Sequence, residues 1–163
     1  AMSPQITPQD MRFMEEAIRL AQHAAELGEV PIGCVITKDD QIVGRGYNRR
    51  ETGKTALGHA ELMAIEDACR NLGGWRLWQC RLYVTLEPCP MCSGAIINSR
   101  LDRVVYGAKD DKAGCAGSVA DLFVMPFNHT PVIRSGILEE ECAAVLSEFF
   151  ETLRKKPEDF EQN

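Results

Sequence analysis

The sequence predicts an α/β protein of three layers, α/β/α, with helices on both faces of a central mixed sheet of five strands. Three observations carry this. Segments with helical spacing of apolar residues alternate along the chain with short apolar runs of strand character, which places a sheet between two helix layers. The first two strand runs flank Lys38-Asp39-Asp40, so they form a hairpin and the sheet is mixed rather than all parallel. The chain has 163 residues, enough for one domain and too few for two ordinary ones.

The elements follow in order. Thr7-Pro8-Gln9-Asp10 offers an N-cap, a proline at the first helical position and an acid in the first turn. Met11, Met14, Ala17, Ile18, Ala21 and Ala25 then recur at helical spacing, and Gly28 ends the helix. Ile32–Thr37 and Gln41–Tyr47 are the hairpin strands, and residues 49–58, polar with two glycines, form a loop. His59–Asn71 is a helix with Leu62, Ile65 and Cys69 on its apolar side and Gly73-Gly74 as its stop. Leu82–Leu86 is a strand, Pro88 opens a helix over Cys89–Asn98, and Arg103–Gly107 is a further strand. Residues 108–117 form a loop ahead of a short helix near Val119–Phe123. Val132–Arg134 is a short fifth strand, and Leu138–Lys155 is a terminal helix cut off by Pro157. Residues 1–163 are read as one domain, with Ala1 before Met2 as a cloning remnant and 157–163 as a frayed tail.

Apolar residues at 45% and charged residues at 26% are ordinary globular values and exclude a disordered or low-complexity protein. No apolar run approaches the roughly 18 residues that span a bilayer. Asp10, Arg12, Glu15 and Glu16 stand where a signal peptide needs an apolar stretch. Neither a membrane partner nor an organic cofactor is therefore expected. The net charge of −6 argues against a general nucleic-acid coat protein. It is uneven: residues 137–163 carry 8 acids and 3 bases, while Arg45, Arg49, Arg50 and Lys54 cluster around one acid, Glu51. Seven cysteines, an odd number at irregular spacing, point to a reducing compartment with thiols or metal ligands.

Two segments carry chemistry: His59-Ala60-Glu61 and Pro88-Cys89-Pro90-Met91-Cys92, each at a predicted helix start. Cys89 and Cys92, three apart, fall on one side of a first turn, so both sulfurs reach one ion. Free N–H groups and the helix dipole favour thiolates there. His59 adds a neutral imidazole from the other helix. Three protein ligands leave the fourth tetrahedral position for water, the pattern of catalytic rather than structural zinc. Glu61 is not a ligand, but it is placed beside that water to take its proton and pass it to a leaving amine. His-x-Glu joined to Pro-Cys-x-x-Cys is the described signature of the zinc deaminases.

Further segments extend the likeness: Glu29-Val30-Pro31-Ile32-Gly33, Gly46-Tyr47-Asn48-Arg49, Leu82 through Cys92, Arg103-Val104-Val105-Tyr106-Gly107-Ala108 and Ser147-Glu148-Phe149-Phe150. From about Met11 to Arg154 the chain resembles the cytidine deaminase-like zinc hydrolases and, within them, the bacterial tRNA-specific adenosine deaminases. The resemblance implies the cytidine deaminase-like fold and one zinc ion per subunit. It implies that Asn48 hydrogen-bonds the target base. Glu29, Val30 and Leu86 would wall the pocket, and the backbone N–H of Ala60 would hold the base. Asp110 would lie near a neighbouring ribose, and Phe149 and Phe150 would pack at the anticodon loop. The implied substrate is the wobble adenosine of an arginine tRNA, converted to inosine by a cytoplasmic homodimer that binds the anticodon stem-loop. Arg49, Arg50 and Lys54, just after Asn48, are placed for phosphates, with Lys109, Lys112, Arg154, Lys155 and Lys156 extending the track.

Plainer roles are also expected. Phe149 and Phe150 are adjacent and cannot share one helix face, so one of them belongs to the core. His23 is structural. Cys34, Cys69, Cys80, Cys115 and Cys142 are buried small residues. Asn48 is also suited to capping a turn. Two rival functions remain: a small-molecule deaminase of guanine or cytosine on the same fold, and a non-catalytic zinc RNA-binding subunit.

Overall fold

The computed structural model describes residues 6–155; Ala1, Lys156, Pro157 and the tail 157–163 lie outside that range. Helix α1 (Pro8–Glu26) starts in a capping box: the Thr7 hydroxyl accepts the Asp10 N–H and the Asp10 carboxylate accepts the Thr7 N–H. Strands β1 (Gly33–Lys38) and β2 (Gln41–Tyr47) form the antiparallel hairpin, and both turn residues take positive φ, 51° at Asp39 and 58° at Asp40. That is the turn whose twist matches paired strands. Strand β3 (Cys80–Leu86) runs antiparallel to β1 and parallel to β4 (Arg103–Ala108), and β5 (Val132–Ser135) closes the order β2-β1-β3-β4-β5. The mixed five-stranded sheet is therefore the one the sequence predicts.

Helices α2 (Ala60–Leu72) and α3 (Pro90–Asn98) cover one face, and α1 and α4 (Glu139–Lys155) the other. Strand alternation divides the core accordingly. Cys34, Ile36, Leu82, Val84 and Val104 point to one side, while Val35, Tyr83 and Val105 point to the other.

Two elements differ from expectation. Helix α2 buries Ala60, Glu61, Ala64 and Ala68, and leaves Leu62, Ile65 and Cys69 only partly covered. The reason lies on β2. A Cβ at Gly46 would sit 2.1 Å from the Ala60 carbonyl oxygen, and one at Gly44 would sit 2.4 Å from that of Ala64. Glycine against alanine lets the helix backbone lie directly on the strand, which sets the height of the α2 N-terminus above the sheet. Asp67 and Asn71, one turn apart on α2, then bond the Arg45 N–H and the Val43 carbonyl of β2, an edge strand. The short helix expected near Val119–Phe123 is a single 3₁₀ turn, Leu122–Val124, opened by Asp121 accepting the Phe123 N–H.

Asp10 does more than start α1. It is fully buried, and its carboxylate accepts the Tyr83 hydroxyl at 2.9 Å and both Arg103 guanidinium nitrogens at 2.7 and 3.0 Å. Burial pushes its pKa up, but the Arg103 hydrogen bond and the other donors outweigh this and hold it below 3.8. A depressed folded-state pKa stabilises the fold above pH 3.8, and the contribution is lost as pH falls through the lower folded value. Asp10→Asn is expected to cost about 3–5 kcal/mol in urea unfolding at pH 7, because it strands the Arg103 charge. The variant should also lose less stability than wild type as pH drops below 4.

Candidate active site

Both candidate metal-binding segments sit at helix starts on the same face of the sheet. His59 is the N-cap of α2, Cys89 is the N-cap of α3, and Cys92 lies in the first turn of α3. His59 Nδ1 is 3.6 Å from Cys89 Sγ and 3.5 Å from Cys92 Sγ, and all three ligand atoms lie within 4.8 Å of one another. A tetrahedral zinc bonded at about 2.1 Å to nitrogen and about 2.3 Å to sulfur needs N···S separations of about 3.6 Å. The donor set therefore fits zinc by both distance and softness. The Cys89 thiol is pushed down to about 4, chiefly by the hydrogen bond from Cys92 and then by His59, so it is a thiolate at neutral pH.

Glu61 lies one helical step beyond, 4% exposed. Burial pushes its carboxyl up to about 7. A carboxyl poised there both takes and gives protons at neutral pH. Glu61 and His59 line a cavity of about 520 Å³, with Val30, Ile32 and Leu86 as apolar walls and Lys109, Asp110, Lys112, Leu146 and Phe150 toward its mouth. A recess of about 80 Å³ continues inward between Val30, Ile32, Asn48, Ala60 and Glu61. A second cavity of about 530 Å³ opens at the opposite end of the sheet, between Thr37, Asp40, Arg81 and Asp102, and holds none of these groups.

Asn48 is buried in the recess and also caps a turn. Its carbonyl oxygen accepts the Arg50 N–H, and one amide N–H goes to the Val30 carbonyl. One amide N–H remains for a ligand. Ala60 is the first residue of α2, where backbone N–H groups have no intrahelical partner. Asp110 lies at the mouth, but its carboxylate accepts the N–H groups of Lys112 and Ala113. Arg50 borders the cavity and the recess.

Several expected site residues are placed elsewhere. Glu29 does not line the cavity; its carboxylate turns away and accepts the N–H groups of Glu51 and Thr52. Arg49 lies in a surface groove with Leu57, Leu62 and Met63, and Lys54 lies in an outer groove with Glu51 and Ala56. Neither phenylalanine is in the core: Phe149 is half-buried and Phe150 is 41% exposed. The inward stripe of α4 runs Cys142, Leu146, Phe150, four residues apart, from the core out to the cavity mouth. Phe149 meets Phe150 edge-on at 5.5 Å. His129 bonds the Leu101 carbonyl, away from the cavity, and His23 packs on Tyr47. Cys34, Cys80, Cys115 and Cys142 are buried, and Cys69 is half-buried. Ile32, Leu146 and Glu87, all at the cavity, are residues the sequence reading missed. Glu87 stands next to the Pro-Cys motif, and that adjacency was its only signal.

Residues 7–108 match the family described as the cytidine and deoxycytidylate deaminase zinc-binding region. Fold, ligand set and buried carboxylate thus define a deaminase of the zinc-binding class. Over 149 residues the chain is 51% identical to a tRNA-specific adenosine deaminase of Bacillus subtilis, covering 91% of this chain and 92% of the relative. It is 42% identical to one of Haemophilus influenzae, covering 90% and 86%. It superposes with a TM-score of 0.80 on a solved structure from a study of A-to-I editing by wobble-position tRNA deaminases, at 43% identity, covering 83% of this chain and 99% of that one. The chain belongs to the tRNA-specific adenosine deaminase family.

Proposed function

We propose that this protein hydrolytically deaminates the wobble adenosine of an arginine tRNA to inosine, as one domain with one zinc per subunit. The observation that carries the reading is the buried carboxylate of Glu61 beside the His59, Cys89 and Cys92 donor set at the floor of a cavity large enough for a base. His59, Cys89 and Cys92 would hold a zinc ion, which would supply the Lewis acidity that lowers the pKa of water to about 7. Glu61 takes one proton from the attacking water and passes it to N1 of the ring, then takes the second from the new C6 hydroxyl and passes it to the 6-amino nitrogen as that bond breaks. Water adds at C6, ammonia leaves and inosine remains. Val30, Ile32 and Leu86 pack the faces of the ring, and the free amide N–H of Asn48 and the backbone N–H of Ala60 orient its edge.

A base must leave its stack to reach this floor, and anticodon loops already present splayed bases. Arg50, Lys109 and Lys112 at the mouth suit phosphates, and Phe150 offers a ring for a neighbouring base. A homodimer belongs to this reading as what the family resemblance implies. The thiol-rich metal site suits the reducing cytoplasm, and no helix among the described residues is long and apolar enough to cross a membrane.

The test is an inosine assay of zinc-loaded protein on an arginine-tRNA anticodon stem-loop, with guanine, cytosine, cytidine and adenosine in parallel. Inosine only in the stem-loop is the expected result. Ammonia only from a free base would replace the substrate, and silence in every well would favour a non-catalytic role. Asn48→Ala is expected to lower kcat/KM on the stem-loop about 10- to 100-fold through a lost buried hydrogen bond, with zinc content unchanged. An unaltered rate would remove Asn48 from the recess chemistry.

A further inference from the structure

Two loops frame the mouth of the cavity. The loop at 48–58 carries Arg50, and the loop after β4 carries Lys109, Asp110 and Lys112. Each loop rests on one buried carboxylate from a neighbouring segment. Glu29, 1% exposed, accepts the N–H of Glu51 at 3.1 Å and of Thr52 at 2.6 Å. Glu87, 2% exposed, accepts the N–H of Asp110 at 3.1 Å, Ala116 at 3.0 Å and Ser118 at 3.1 Å, together with the Ser118 hydroxyl.

We propose that Glu29 and Glu87 are paired positioning residues, each holding one mouth loop so that its cations, Arg50 on the first and Lys109 and Lys112 on the second, stand in the geometry that grips the nucleic-acid backbone. The inference rests on the stem-loop reading above. Loops of this polarity have no ladder of their own, and their inward N–H groups need an acceptor. A carboxylate is suited to the task because it accepts at both oxygens and donates nothing. Burial pushes the Glu29 carboxyl up, yet the converging Thr52 and Glu51 donors outweigh it and hold it below the ordinary glutamate value; at Glu87 four donors converge on the two carboxylate oxygens. Space is closed around the second clamp: a Cβ at Gly114 would lie 2.4 Å from the Glu87 carboxylate. Glu87 also lies two residues before the ligand Cys89, and the Cys115 N–H bonds the intervening Pro88 carbonyl at 2.8 Å. The loop that meets RNA and the segment that holds metal are thus joined through one side chain, and the grip is set before substrate arrives.

Glutamine is the informative replacement. Each Glu87 oxygen serves two donors, so either orientation of the amide sets an NH₂ against N–H groups. Zinc-loaded wild type, Glu29→Gln, Glu87→Gln and the milder Ser118→Ala would be compared on the stem-loop for KM and kcat, for zinc content, and for backbone hydrogen exchange. Both glutamine variants should raise KM about tenfold with kcat within about twofold and zinc retained. Exchange should quicken in 49–55 for Glu29→Gln and in 109–118 for Glu87→Gln, with helix 60–72 unchanged. Ser118→Ala should move in the direction of Glu87→Gln by a smaller amount. Unchanged KM, loop exchange equal to wild type, or a fall in kcat with zinc loss would overturn the inference. Wild type that makes no inosine from the stem-loop would instead overturn the functional reading on which it rests.

Discussion

Glu61→Gln is expected to lower kcat on the anticodon stem-loop by about 1,000-fold or more, toward the upper end of what a positioned acid–base group contributes, while zinc content stays at the wild-type level. The two effects separate because Glu61 is outside the cluster of potential ligand atoms formed by His59, Cys89 and Cys92. Glutamine keeps the shape and the hydrogen-bonding reach but cannot carry a proton between water and the departing amine. The fold should tolerate it, since burial already pushes the native carboxyl up to about 7 and a neutral side chain suits that environment. Single-turnover rates with metal analysis of the same sample decide the matter. A variant retaining more than a tenth of wild-type kcat would take the proton-transfer role away from Glu61.

Removing a metal ligand should do something different. Cys89→Ala and Cys92→Ala are expected to lose both metal and turnover, because either leaves only two donors around the site. The loss in zinc affinity should exceed the roughly 10- to 100-fold typical of residues that merely support ligands. Cys115→Ala is the control: Cys115 is as buried as Cys92 but lies outside the donor cluster, so it should keep its zinc. Competition with a chromophoric chelator measures all three. Full zinc retention in Cys89→Ala would refute the ligand assignment.

The separation between legible and hidden features follows from range. Helix α1 was readable because Thr7, Pro8 and Asp10 are a local start signal and Gly28 a local stop. The hairpin was readable because Asp39 and Asp40 supply the turn between two strand-like runs. The donor set was readable because chemistry constrains it: thiolates three apart at a helix start, with a histidine two residues before a carboxylate, have few other uses.

What the sequence does not settle is which way several side chains face. The large residues Leu62, Ile65 and Cys69 of α2 are only partly covered, because Gly44 and Gly46 of β2 bring the alanines against the strand. The resemblance places both Phe149 and Phe150 at the substrate, and the stripe from Cys142 through Leu146 that runs out to the cavity selects Phe150. Arg49 and Lys54 share a loop with Arg50, yet the loop turns so that only Arg50 borders the cavity and recess. Asp10 reads as a first-turn helix acid and Glu29 as a pocket wall, and nothing local marks Glu87, yet all three are among the most buried polar groups described. Their partners, Arg103, Thr52 and Ser118, are 93, 23 and 31 positions away.

The sequence by itself determined the order of elements, the mixed sheet, the candidate zinc donors and the carboxylate beside them, because each is written in short-range spacing and in the chemistry of a few residue types. Only the tertiary structure decided which acids hold loops, which cations reach the mouth and which face of each helix is inside. Those outcomes depend on contacts between segments far apart in the chain, where packing and buried hydrogen bonding outweigh any local preference.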